Sequence, residues 1–200
     1  MPNRDQNSLL HSAVRVSTIS AAWTLIASTA AIVIGLLDDS LALVAFGVVG
    51  ILDCTASVAL VAHFRDARSG GTAEHLERIA LRIVTIGLVT VGLVTGAFSV
   101  MHLVDHHEAT ASARNVLLAA TSLIALTALS LRKHHIAIRL DSHALLADSR
   151  LSAVGAVLAA VTLGGTAASR SLGWWWADPI AALAIAVVAV CLGVILRREG

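Results

Sequence analysis

Two hundred residues with 57% hydrophobic content, 14% charged residues, a mean hydropathy of +0.84 and a formal net charge of +1 exclude an ordinary soluble domain, in which about 25% of residues are charged. The small net charge gives no footing for nucleic-acid binding. The only two cysteines, Cys54 and Cys191, each lie in an apolar block, which excludes a disulfide framework and a Cys-x-x-Cys metal motif. The apolar residues fall in long runs, the pattern of an all-α membrane protein with several spans.

In chain order, residues 1–15 form a polar, cytoplasmic N-terminal segment with Arg4 and Arg15. The first span is Val16–Leu37; its apolar core of about 22 residues is longer than the roughly 7–15 residues of a secretory signal. The second span, Leu41–Phe64, is roughly 24 residues long, enough to cross a ~30 Å hydrocarbon core. Asp53 stands near its middle. A mid-membrane aspartate costs about 2.5–3.5 kcal/mol on insertion scales, so it faces the bundle interior, a partner or a watered path. Asp53 is therefore the first candidate functional residue, the alternative being a carboxylate satisfied by nearby Ser and Thr hydroxyls. A polar loop with the Ser69-Gly70-Gly71 break follows, and Ile83–Leu103 is the third span, rich in the small residues that let helices approach closely.

His102, Asp105, His106, His107 and Glu108 crowd the next loop. Their side chains suit metal capture, and His102 and His106 share a face if the third helix reaches that far; the alternative is a solvated loop. The fourth span is Val116–Leu131, followed by the polar segment RKHHIAIRLDSH. The fifth runs from Ala144 to Ala168 and carries Asp148 and Arg150 in its first turns. Trp174-Trp175-Trp176 marks a membrane interface, and Asp178-Pro179 opens the sixth span, Ile180–Leu196. Residues 16–196 thus form a six-helix transmembrane domain, and 197–200 a short tail.

Eleven of the fourteen Lys and Arg residues fall on one side of this arrangement, which predicts cytoplasmic termini and an external loop at 102–108. Arginine far outnumbers lysine, and alanine and valine are abundant; together these suggest a GC-rich bacterial genome and hence an inner or plasma membrane location. No nucleophile with an organised base and no phosphate loop is visible, so an enzyme is not expected.

Three stretches together resemble the cation diffusion facilitator (cation efflux) family. FGVVGILDCTAS at 46–57 resembles that family's second helix, which reads Asp-x-x-x-Asp before small residues. SHALLADSRLSAVGAVLA at 142–159 resembles its fifth helix, in which an Ala- and Asp-containing run precedes His-x-x-x-Asp. GWWWADPIAALAIAVVAVCLGVILRR at 173–198 resembles its sixth helix. The resemblance covers about residues 10–198 and implies six helices, a homodimer, and exchange of a divalent metal, zinc above all, for protons, with metal as cargo and no tightly bound cofactor. Of the four implied ligand positions only Asp53 keeps an acid; Val49, Leu151 and Gly155 occupy the others. The divergent branch of the family that lacks the cytoplasmic domain is the nearer likeness.

Two functional expectations follow. One is a divergent cation efflux protein with Asp53 as core acid and Asp148 on the ion path. The other is a membrane binding or scaffold protein that kept the fold and lost the metal site. For Arg150, one expectation is that its guanidinium snorkels to the interface. The other is that it reaches Asp53 as a fixed charge in place of the metal.

Overall fold

The computed structural model describes residues 4–66, 73–106, 110, 112–140 and 143–199. Among these residues the chain forms six helices and no strand: α1 (Arg4–Leu37), α2 (Leu41–Asp66), α3 (Ala73–Val104), α4 (Ala113–Leu140), α5 (His143–Leu172) and α6 (Ala177–Glu199). Five contain stretches long and apolar enough to cross a bilayer, namely Arg15–Leu37, Val84–Val104, Ala113–Arg139, Asp148–Leu172 and Ala177–Ile195. In α2 the described apolar run is Leu41–Thr55. The chain is a multi-pass, all-helical membrane protein.

The distribution of side chains says the same independently of hydropathy. Large apolar residues point outward: Ile26, Leu36, Ile86, Leu117, Ile124, Leu131 and Ile138 are all well exposed. The interior is built from alanines and hydroxyls, including Ala31, Ala42, Ala119, Ala159, Ala182 and Ala189 with Ser28, Ser122 and Thr162. Water would penalise that outer surface, whereas lipid tails are as apolar as leucine; small residues and hydroxyls then mediate close helix packing. Several of these hydroxyls are satisfied within their own helix, as where Thr162 donates to the Leu158 carbonyl at 2.9 Å, whereas the Ser122 hydroxyl is buried without a hydrogen-bond partner among the described residues.

α2 is the hub. It packs against α1, α3, α5 and α6, while α4 pairs most extensively with α5, and α3 with α6. At the α1–α2 crossing Gly47 permits a backbone approach that a side chain would block: a Cβ there would lie 2.6 Å from the Ser28 carbonyl and 2.8 Å from Ile32. The turn before it is compact. Asp39 adopts a left-handed conformation (φ 51°), the Ser40 amide donates back to the Gly35 carbonyl at 2.9 Å, and the Ser40 hydroxyl accepts the Leu43 amide at 3.3 Å. One serine thus closes the C-terminal motif of α1 and caps α2.

The helices outrun the spans that hydropathy predicts. α1 begins at Arg4, inside the expected polar segment, and α3 begins at Ala73, well before Ile83. α4 continues through RKHHIAIRL to Leu140, because the stretch contains neither Gly nor Pro and its charged residues are good helix formers. This last difference moves Lys133 from an expected loop into the bundle.

Candidate functional site

Asp53 lines a cavity of about 150 Å³ to which all six helices contribute. Thr24 and Ser28 come from α1, Val49 and Gly50 from α2, Leu88 from α3, Leu151 and Gly155 from α5, and Leu192 from α6; Leu126 of α4 closes the wall. The i, i+4 spacing of Val49 and Asp53, and of Leu151 and Gly155, puts each pair on one helix face. All four positions that the family resemblance marks as ligands therefore face a single space. Only one of them offers a carboxylate. Thr24 and Ser28 add oxygen donors, and the rest of the wall is apolar. Cys54 points elsewhere, its thiol 3.6 Å from the Ala21 carbonyl, as expected for a neighbour one residue away on a helix.

A second set of buried charges lies one turn along α5. Asp148 is only 7% exposed and Lys133 only 2%, and the Lys133 Nζ stands 2.9 Å from the Asp148 Oδ2. The same ammonium donates to the Ser152 hydroxyl at 2.9 Å, that hydroxyl donates to the Asp148 carbonyl at 3.1 Å, and Ser17 of α1 donates to the Asp148 carboxylate at 3.1 Å. The charge is thus held by α1, α4 and α5 together, which is the condition under which a low-dielectric interior tolerates a lysine and an aspartate. Asp148, Leu151 and Gly155 recur at i, i+3 and i+7, so the pair continues the face of α5 that lines the cavity. Asp148 and Lys133 are also the charged groups that act on Asp53.

Of the two expectations for Arg150, its place on the helix surface fits the first and not a reach to Asp53. Arg150 is exposed on α5, two positions from Asp148 and so on another face of the helix. Among the described residues the buried cation is Lys133, the only lysine in the chain. A sequence signal for it existed: on α4 the buried residues are Asn115, Ala119, Ser122, Leu126, Lys133 and Ala137, a recurring helical stripe on which the lysine falls.

At the opposite end of the bundle the polar residues act as clamps. Asp178, 1% exposed, accepts the Ser40 hydroxyl at 2.6 Å and the Ala42 amide at 3.3 Å, so a carboxylate from α6 sits on the positive N-terminal end of α2. Arg114 forms a two-pronged ion pair with Asp38, its Nε donating at 3.0 Å, and the Thr110 amide donates to the Asp38 carbonyl at 2.8 Å. The Arg114 hydrogen bonds hold the Asp38 carboxyl below its ordinary range.

His102 and His106 do not share a helix face. α3 ends at Val104, and His106 sits beyond it in a turn with φ 54°, its ring 4.4 Å from that of Trp175. His102 remains on α3 and is among the charges acting on Asp178. His107 and Glu108, like Ser69-Gly70-Gly71, lie outside the described residues. Among the described residues no three His, Cys, Asp or Glu side chains are placed to share a metal. Trp174 and Trp176 stack at 4.8 Å beside this turn.

No protein-family model matches the chain, and no curated protein matches it. What remains for function is the chemistry of the cavity and of the ion pair beside it.

Proposed function

We propose that this chain is a membrane transporter of a small cation, of the cation-efflux type, with both termini in the cytoplasm and Asp53 as the carboxylate that meets the cargo. The observation that carries the reading is the convergence of Val49, Asp53, Leu151 and Gly155 on one cavity, a convergence that a bundle with no substrate does not require. Asp53 supplies the attracting charge, and the Thr24 and Ser28 hydroxyls supply neutral oxygen. One carboxylate does not dehydrate a divalent ion, but a cavity of about 150 Å³ has room for several waters to remain on it. The resemblance implies zinc; an all-oxygen donor set favours a harder ion such as manganese or magnesium. Outward movement of the metal in exchange for protons, with Asp53 taking a proton when the ion leaves, completes the proposal, as do a homodimer and a bacterial inner or plasma membrane location.

A scaffold role is the second reading. It is favoured by the pairing of Asp148 with Lys133, which leaves Asp53 as the one acid on the cavity wall. Liposomes containing the purified protein separate the two readings. Metal-dependent proton flux with manganese, magnesium, zinc or cobalt, lost in Asp53→Asn, supports transport. Folded, correctly oriented protein with no flux for any of these ions supports the scaffold.

A further inference from the structure

Among the described residues, the buried charges beside the cavity have a sum as well as a geometry. Asp53 and Asp148 are two carboxylates, and Lys133 is an ammonium 2.9 Å from one of them. Fully ionised, the three carry one net negative charge. A monovalent cation in the cavity would neutralise it; a divalent cation would leave one positive charge in a low-dielectric interior, where the cost is large.

We infer that Lys133 is the charge selector of this site: by cancelling Asp148 it sets how much positive charge the Asp53 cavity accepts and holds divalent binding weak. The inference rests on the reading of the cavity as a cation site and adds to it the residue that determines the class of cargo. Three features support it beyond proximity. Lys133 is fixed by two polar partners, Asp148 and Ser152, so its charge cannot swing out to the interface as an exposed lysine does. Asp148 lies on the cavity-lining face of α5, so the pair acts on the ion through about one helical turn of apolar wall with little solvent to screen it. Finally, Asp148 is tied to α1 through Ser17, and α1 also contributes Thr24 and Ser28 to the cavity, so the three helices that hold the pair also bear on the ion.

Changing the charge in unit steps tests this. Counted with every group ionised, Lys133→Met makes the sum two negative charges, Asp148→Asn makes it zero, and the double variant restores one. Purified full-length protein in detergent is titrated with Mn²⁺, free ion being read by electron paramagnetic resonance, with Na⁺ as competitor and circular dichroism as the check on folding. Expected is Mn²⁺ binding at least about tenfold tighter in Lys133→Met than in wild type, the scale for a unit charge within two helical turns at an effective dielectric of ~20. The double variant should return to the wild-type value and Asp148→Asn should fall below it. Na⁺ should compete less well in Lys133→Met, because a divalent ion feels each added charge twice. If Lys133→Met does not fold, the double variant against Asp148→Asn carries the same unit step and the same expectation. Equal Mn²⁺ affinity across the series, with binding abolished by Asp53→Asn, overturns the selector and leaves the cavity reading intact. Absence of binding in every variant overturns both.

Discussion

Asp38 and Lys133 are both buried charged residues paired with an opposite charge, yet they sit in opposite settings. The Arg114 guanidinium stands open to solvent over a buried carboxylate, and its hydrogen bonds lower the Asp38 pKa from 3.8. A carboxyl whose folded pKa lies below its unfolded value contributes stability above the unfolded value and loses it as pH falls through that range. Arg114→Gln should therefore melt below wild type at pH 7, and the difference should shrink by about pH 3, as acid removes the Asp38 charge that Arg114 stabilises. Thermal melts at both values measure this, and a gap that stays constant with pH would remove the pair as its source. Lys133, by contrast, was hidden in the sequence by its company. Between Arg132 and His134-His135 it looks like one more basic residue of a cytoplasmic loop. Its burial depends on Asp148, Ser152 and a helix that runs past the apolar span, none of which local composition reveals. Asp53 was legible for the opposite reason: one acid in a long apolar run stands out by itself.

The number and order of helices were readable from hydropathy, but their lengths were not. Apolar composition marks where a helix meets lipid, whereas a helix continues into water as long as propensity allows; hence the longer α1, α3 and α4. Contact between elements is set by the smallest residues. Gly47→Ala should destabilise by about 1–3 kcal/mol because the added methyl meets the Ser28 carbonyl of α1. Gly164 on α5 meets nothing within 4 Å, so Gly164→Ala should be neutral or stabilising by up to ~1 kcal/mol through helix propensity. Unfolding of the two variants side by side in the same detergent checks the contrast. Equal effects would mean that α1 and α2 do not pack at Gly47.

For the molecule as a whole, class was more legible than function. An apolar exterior around alanines and hydroxyls follows from composition once the solvent is known to be lipid. The basic residues predict which side faces the cytoplasm; with Lys133 buried, Arg132 and Arg139 still mark the same end of α4. A C-terminal green fluorescent protein fusion in a bacterial host should fluoresce, and alkaline phosphatase inserted after Asp105 should be active. The reverse pattern would invert the topology and with it the direction of the proposed transport. The chemistry was only half readable, because the arrangement of Val49, Leu151 and Gly155 around Asp53 is visible in space while the residue types at those positions carry no donor.

The carboxylate that caps α2 has a consequence for biosynthesis. A ribosome delivers the chain from its N-terminus, and Asp178 lies 138 residues after the Ser40 hydroxyl it accepts. When the α1–α2 hairpin is first made, Ser40 can cap α2 alone, and the second partner does not yet exist. That end of α2 receives its full set of hydrogen bonds only after α6 has been synthesised and has threaded back beside it. A helix made late is thus the one that completes an early turn, and this part of the bundle closes from α6 back to α2.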